Sequence, residues 1–134
     1  MAAVQGALGI GGGAKAACLS GMCSSNTIVI GETMEDIRTV AKQLQEQGIN
    51  AKWYQAWKKY WPDRILTPPE LDANLVRNGA WITSKITQGY TILDLGRNPE
   101  NIDAGKAISA FYQAELNVIS SFVYSTIDIS YLRP

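Results

Sequence analysis

Residues 27–54 read TIVIGETMEDIRTVAKQLQEQGINAKWY, and this stretch decides the fold. Its β-branched start predicts a buried strand that ends in a glycine turn. From Met34 onward the apolar residues take helical spacing, with Thr33 in position to cap the helix and Gly48 to end it. Residues 49–54 then predict a second strand. A strand, a helix and a strand in this order typically produce two parallel strands.

The rest of the chain continues the alternation. Pro69 predicts the first turn of a second helix, which ends before Gly89, and residues 90–96 predict a third strand. We expect residues 97–101 to be a loop, followed by a third helix, and residues 126–132 to be a final strand. The alternation indicates an α/β fold, a Rossmann-like three-layer sandwich in which a small, mainly parallel sheet is flanked by helices.

The 134 residues are enough for a single domain. Residues 1–25 are rich in Gly, Ala and Ser and predict a flexible linker, so we place the folded domain at residues 26–134. Cys18 and Cys23 lie in the linker, where free thiols are the expected state and a small disulfide loop is the alternative. No apolar run is long enough for a membrane helix, and the first residues do not resemble a signal peptide.

The composition excludes several kinds of chemistry. The chain has no histidine, so neither a Ser-His-Asp triad nor an HExxH zinc site can form. Any acid or base must therefore be a carboxylate, Lys, Tyr or Cys with a tuned pKa, and we expect no metal site. Twelve basic and twelve acidic residues cancel, which argues against binding to nucleic-acid phosphates through bulk charge.

Glu115 is the leading candidate for a catalytic carboxylate, because it interrupts an apolar stripe on the third helix. The stripe consists of Ile108, Phe111, Val118, Ile119 and Phe122. Burial raises the pKa of a carboxyl group and makes it usable near neutral pH. The structural alternative is a Glu at the margin of the stripe, or one paired with a buried arginine such as Arg97 or Arg77.

Further candidates lie at the carboxyl ends of the predicted strands, where α/β folds bind ligands. Asp94 lies inside the third strand or at its end, and Arg97 opens the following loop, where its guanidinium could bind a phosphate or a carboxylate. The alternative for this pair is a turn with a solvated ion pair. Gly31 and Glu32 open the first helix, whose backbone N–H groups could hold a phosphate. A simple capped turn is the alternative there.

Amide and aromatic side chains supply a third group of candidates. Asn74 and Asn78 lie one turn apart on the second helix, next to Trp81, and could contact a nucleobase or a ribose. Polarity that serves helix packing is the alternative. Residues 53–61 hold a dense set of aromatic side chains that includes Trp57. Such a segment can stack a base, bind a protein partner, or form a small core under a loop.

Three motifs follow one another in the chain: IVIGETM, NGAWITSKITQGYTILDLGRN and SAFYQAEL. They resemble the toxin domains at the variable C-termini of bacterial polymorphic toxins of the Rhs and contact-dependent-inhibition kinds. The matching positions are Gly31, Met34, Asn78, Trp81, Ile82, Ile86, Gly89, Asp94, Gly96, Arg97, Ser109, Phe111, Tyr112 and Glu115. The resemblance covers about residues 27–120, with Ala110 where proline is common and a longer loop before it. It implies that residues 1–25 are a linker or pre-toxin segment and that residues 26–134 are the toxin domain.

The segment from Ser109 to Leu116 is also similar to the SxWCxxEL helix of TIR domains. In TIR enzymes the Glu of this helix catalyses NAD glycohydrolysis, so the likeness implies that role for Glu115. This chemistry is possible without histidine, because one carboxylate can stabilise the oxocarbenium-like centre that forms when the nicotinamide–ribose bond breaks.

We therefore expect an interbacterial toxin effector that hydrolyses NAD(P), with NAD as its substrate rather than its cofactor and with no metal. The expected catalytic residues are Glu115, Asp94 and Arg97, and the expected substrate-binding residues are Gly31, Glu32, Trp57, Asn78, Ser109, Phe111 and Tyr112. The resemblance implies a domain that is delivered from the producing bacterium within a larger toxin, acts in the target-cell cytoplasm and is inhibited by a cognate immunity protein. We expect the domain to be a monomer. The alternatives are a nuclease toxin that cuts tRNA or DNA and a toxin that acts by binding alone.

Overall fold

The computed structural model of the protein describes residues 26–55 and 67–134. The predictions for residues 1–25 and for Trp57 lie outside these residues. Within the described part, no helix is long and apolar enough to cross a membrane.

Four described strands form one sheet, and every pairing among them is parallel. The strands are β1 (Asn26–Ile30), β2 (Asn50–Lys52), β3 (Thr91–Asp94) and β4 (Ile127–Asp128), arranged in the order β2-β1-β3-β4. The predicted parallel sheet is therefore confirmed. In the register, Ile28 of β1 pairs with Lys52 on one side and with Ile92 on the other.

Helices cover both faces of this sheet, which confirms the three-layer sandwich. They are α1 (Met34–Glu46), α2 (Pro68–Thr87), α3 (Pro99–Asp103) and α4 (Ala110–Ser121), and a 3-10 turn spans Ser130–Leu132. Successive side chains of a strand point to opposite faces. Val29 accordingly packs with the α1 residues Val40 and Leu44, whereas Ile28 packs with Ile82 of α2 and Ile119 of α4.

The helix boundaries follow the local chemistry of the chain. Thr67 and Glu70 form a capping box at the start of α2, where each side chain accepts a hydrogen bond from the other residue's backbone. Gly48 and Gly89 follow the helices α1 and α2 with φ of +87° and +78°. This left-handed conformation favours glycine, and it ends both helices where the sequence predicts.

Several predicted boundaries are wrong. β2 and β3 span Asn50–Lys52 and Thr91–Asp94, so they are shorter than the strands predicted at residues 49–54 and 90–96. Residues 97–101 are not simply a loop, because the side chain of Asn98 accepts from the backbone N–H of Glu100 and caps the short helix α3. The final strand does not extend over residues 126–132. It stops at Asp128, whose carboxylate accepts from the backbone N–H of Ser130 and turns the chain into the 3-10 helix.

The inward face of α4 also differs from the predicted stripe. Its buried residues are Tyr112, Glu115 and Ile119, whereas Phe122 is 46% exposed. Phe122 is the C-cap residue of the helix, so it lies beyond the last turn that packs on the sheet. Glu115 nevertheless lies on the inward face, as expected.

The sheet order places a ligand crevice at β1. The chain leaves β1 for β2 on one side and later returns to β3 on the other, so neighbouring connections diverge at this point. Crevices outside the carboxyl ends of the strands at such switch points are the usual binding sites of open α/β sheets.

Candidate active site

A cavity of about 150 Å³ opens at the carboxyl end of β1. Its walls come from the turn after β1, from the start of α1 and from the facing sides of α2 and α4. The lining residues are Val29, Gly31, Glu32, Met34, Ile37, Tyr54, Asn78, Ser109, Phe111 and Glu115. The cavity therefore brings together six of the predicted site residues, although they are spread over 85 positions from Gly31 to Glu115.

Glu115 contributes a buried carboxyl group to this cavity and is 6% exposed. Loss of solvation raises the pKa of Glu115 to about 8; the amide of Asn78 lowers it in part, and the negative charge of Asp94 raises it further. In the described part of the chain no arginine or lysine forms an ion pair with it. Among the described residues, Glu115 therefore forms no structural ion pair with Arg97 or Arg77.

Asn78 stands beside Glu115 and is fully buried. Its Nδ2 donates to the backbone carbonyl of Phe111 at 3.4 Å, which fixes the amide between α2 and α4. Its Oδ1 accepts no hydrogen bond from any described residue. A buried acceptor without a donor is costly, so this oxygen is suited to receive a hydroxyl or an amide N–H of a ligand.

Aromatic rings form one wall of the cavity. The rings of Tyr54 and Phe111 stack with centroids 6.5 Å apart, and Trp81 meets Tyr54 edge to face at 5.8 Å. The Tyr54 hydroxyl donates to Oδ1 of Asn74 at 2.5 Å, which ties the chain after β2 to the start of α2. This wall offers flat π surfaces against which a planar ring can stack.

Gly31 and Glu32 form the floor of the site, at the turn after β1. A Cβ on Gly31 would lie 3.1 Å from Cβ of Leu95 and 3.3 Å from Cγ1 of Ile37, so only glycine fits without displacement. The backbone N–H of Glu32 donates to the carbonyl of Gly96. This turn therefore joins β1 to the end of β3.

The carboxylate of Glu32 is the centre of a hydrogen-bond network. It accepts from the backbone N–H groups of Asn98 and Ser109, each at 2.9 Å, and from the Asn101 amide at 3.3 Å. Arg97 Nε forms an ion pair with it at 3.2 Å. Burial alone would raise its pKa, but the backbone donors, the amide and the guanidinium together hold the pKa of Glu32 below its ordinary value.

Three predicted site residues lie behind the cavity and not on its wall. Arg97 is held between Glu32 and the backbone carbonyl of Lys106, to which it donates at 2.9 Å. Asp94 accepts at 2.8 Å from both the Tyr112 hydroxyl and the backbone N–H of Gly96. Loss of solvation and this bond to Asp94 raise the pKa of Tyr112. The structure gives these residues supporting contacts around Glu32 and Glu115.

Tyr54 belongs to the aromatic segment 53–61, which the sequence indicates as a possible base-stacking surface, but it is not among the expected substrate-binding residues. The linking role of Glu32 was also missed, since its partners lie 65 to 77 positions away in the chain.

No protein-family model, curated protein or solved structure matches this chain.

The charge of the cavity limits what it can hold. Its described lining contains two carboxyl groups, those of Glu32 and Glu115, and no basic residue. Within residues 26–55 and 67–134, no cluster of three His, Cys, Asp or Glu side chains is arranged to hold a metal ion. The site suits a small planar group that is neutral or positively charged, and it disfavours a phosphate.

Proposed function

We propose that this chain is the effector domain of an interbacterial toxin that hydrolyses the nicotinamide–ribose bond of NAD. The observation that carries the proposal is Glu115, a buried carboxyl group on an aromatic-walled cavity at the carboxyl end of β1. It supports the role that the likeness to the TIR helix implies for the same residue.

The reaction breaks the bond between C1′ of the ribose and the ring nitrogen of nicotinamide. The bonding electrons leave with nicotinamide, which departs as a neutral molecule, and an oxocarbenium-like ribose remains. Water adds to C1′ and releases a proton, so the products are nicotinamide, ADP-ribose and H⁺. An ionised Glu115 would stabilise the positive charge at C1′ in the transition state.

The raised pKa of Glu115 fits a cationic substrate. In the free protein the carboxyl group holds its proton at neutral pH, because its pKa is about 8. The pyridinium ring of NAD carries a positive charge, and a nearby cation favours the carboxylate form. Substrate binding would therefore expel the proton and create the charge that the transition state needs.

The neighbouring side chains have roles that agree with this chemistry. The stacked rings of Phe111 and Tyr54 offer a surface for the nicotinamide ring. Asn78 Oδ1 has room for one donor, either a ribose hydroxyl or the carboxamide. Arg97 and Asp94 would act through Glu32 and Tyr112, as positioning residues.

The polymorphic-toxin motifs support the biological context. Gly31, Asn78, Ser109, Phe111 and Glu115 come from three separate motifs, yet all of them line this cavity. A set of motif residues that converges on one cavity is expected when they share one function. The proposal therefore includes delivery into a target cell, action in its cytoplasm and a cognate immunity protein that blocks the cavity.

The test is the release of nicotinamide from NAD by the purified full chain. Wild-type protein should release it, and Glu115→Gln should lose at least about 100-fold in kcat/KM. Glu35→Gln is the matched control, because Glu35 is an exposed carboxylate on α1. Expression in a bacterial host, with NAD, tRNA and chromosomal DNA measured together, separates this function from the nuclease alternative. Intact NAD in intoxicated cells would refute the proposal.

A further inference from the structure

A second, wider groove lies next to the cavity. It has a volume of about 480 Å³ and is lined by Trp53, Tyr54, Gln55, Arg77, Ala80 and Trp81. Tyr54 lines both spaces, so its side chain is the wall that they share. A ligand that passes over Tyr54 would reach from the cavity into the groove.

Basic side chains continue this groove along α2 and the edge of the sheet. Arg77, Trp81 and Lys85 are spaced four residues apart and therefore share one side of the helix. Lys85 Nζ lies 5.6 Å from the centre of the Trp81 ring and 4.7 Å from that of Tyr90. Lys52 Nζ donates to the Tyr90 hydroxyl at 3.2 Å.

The positive potential of this surface acts on Tyr90. The hydrogen bond from Lys52 lowers the pKa of Tyr90, and the charges of Lys85 and Lys52 lower it further, although burial opposes them. The cavity and the neighbouring groove therefore carry side chains of opposite charge. The cavity holds two carboxyl groups and no described basic residue, whereas the groove and its continuation hold Arg77, Lys85 and Lys52.

The cavity is also too small for a dinucleotide. At about 150 Å³ it falls well below the roughly 300–1,000 Å³ of pockets that enclose a drug-sized ligand. It can hold the nicotinamide end, but the pyrophosphate and the second base must lie outside. The groove begins at the shared Tyr54 wall and offers a guanidinium and two indole rings.

We propose that the groove formed by Trp53, Arg77 and Trp81 is the subsite for the pyrophosphate and the adenine base of the dinucleotide substrate. Arg77 binds the phosphates, because a guanidinium forms paired hydrogen bonds with phosphate oxygens. The indole rings stack the base. This assignment rests on the proposed function, since it takes NAD as the molecule that spans both spaces, and it matches the positive ring and negative phosphates of NAD to the two charged regions.

Binding of ADP to the full chain, measured by calorimetry, tests the groove without any reaction. ADP carries the phosphates and the base but no nicotinamide. We expect Arg77→Glu to weaken binding by at least about tenfold. Lys42→Glu is the matched control, since Lys42 is an exposed cation on α1 and does not line the groove. Equal affinity in Arg77→Glu and Lys42→Glu would overturn the assignment.

Kinetics with two substrates then separate the groove from the chemistry. Nicotinamide riboside contains the scissile bond but lacks the phosphates and the second base. Arg77→Glu should reduce the preference for NAD over nicotinamide riboside about tenfold, through KM for NAD. An unchanged preference in an active enzyme overturns the groove and leaves the proposed function intact. If ADP binding depends on Arg77 but NAD is not hydrolysed, the groove assignment stands and the proposed function is overturned. Tighter binding of a single-stranded oligonucleotide than of ADP would identify a nucleic-acid surface and overturn the groove assignment.

Discussion

Glu32 and Glu115 line the same cavity but lie in opposite environments. Glu32 is surrounded by donors, with two backbone N–H groups, an amide and a guanidinium within hydrogen-bond distance. Glu115 has the Asn78 amide beside it and otherwise loses solvation. The pKa of Glu32 is therefore lowered, whereas the pKa of Glu115 is raised to about 8.

The difference assigns separate tasks to the two groups. A carboxylate whose oxygens already accept four donors has little capacity left for a ligand, and it holds the loop before α4 against the turn after β1. A carboxyl group with few partners keeps its capacity for a substrate at a cost in stability. Two carboxyl groups with pKa values pushed apart are a common arrangement in acid–base and glycosidic chemistry.

The largest expected effect is the loss of Glu32. Glu32→Ala removes a buried carboxylate and leaves the Asn98 and Ser109 N–H groups and the Arg97 guanidinium without their partner. We expect the free energy of unfolding to fall by about 3–5 kcal/mol, which urea denaturation would measure. Glu35→Ala is the control, because Glu35 is exposed and its loss should change stability little. A cost below about 1 kcal/mol for Glu32→Ala would show that the network does not hold the loop.

Glu115→Gln should raise the free energy of unfolding, whereas Glu32→Ala should lower it. The pKa of Glu115 rises from 4.5 to about 8 on folding, so between these values the unfolded chain ionises while the folded chain keeps the proton. Stability from this group is therefore complete below pH 4.5 and is lost as pH rises toward 8. A neutral amide avoids this loss, and we expect Glu115→Gln to be more stable than wild type by about 2–4 kcal/mol at pH 8.

Thermal and urea unfolding at a series of pH values check this prediction. The stability of wild type relative to Glu115→Gln should decline steadily from pH 5 to pH 8 and then level. A constant difference across this range would mean that Glu115 titrates at an ordinary pKa. If Glu115→Gln gains stability and loses activity, it would show the trade-off between stability and activity that is common at active sites.

The pH dependence of the proposed NAD hydrolysis is the next effect in size. If the reaction needs ionised Glu115, kcat/KM for NAD should rise about tenfold per pH unit below the pKa of the free protein. The rise should level off near pH 8, because the pKa of Glu115 is about 8. A profile that is flat from pH 6 to pH 9 would exclude Glu115 as the group that must ionise.

Much of the fold was predictable, because short stretches of sequence specify its strands and helices. The β-branched run before Gly31 and the helical spacing from Met34 specify β1 and α1, and both elements form, although the side chain of Thr33 makes no capping hydrogen bond. The error at α3 had a local signal too, since Asn98 before Pro99 is a typical cap and first position of a helix. The shortened β4 had a local cause as well, the hydrogen bond from the Ser130 N–H to the Asp128 carboxylate, but the alternation of Ile127, Ile129 and Tyr131 favours a longer strand.

The site was predictable in part, for a related reason. An isolated Glu in an apolar stripe is visible in the sequence, so Glu115 was found. The network of Glu32 is not visible there, because Asn98 and Ser109 approach it only after the chain has folded, from 66 and 77 positions away. Nothing local indicates that Arg97 binds this carboxylate rather than a ligand.

Asn101→Ala has the smallest expected effect on the free energy of unfolding, and it tests the comparison between Glu32 and Glu115. Asn101 Nδ2 donates to Glu32 Oε1 at 3.3 Å, the longest of the amide and backbone contacts to this carboxylate. Because the Asn98 and Ser109 donors remain, we expect a loss of only about 0.5–1.5 kcal/mol in unfolding free energy. Asn117→Ala, which removes an exposed amide on α4, serves as the control. A loss as large as that of Glu32→Ala would mean that the donors act as one cooperative unit. Having several donors would then not protect Glu32 against the loss of one of them, and in this respect Glu32 would resemble Glu115.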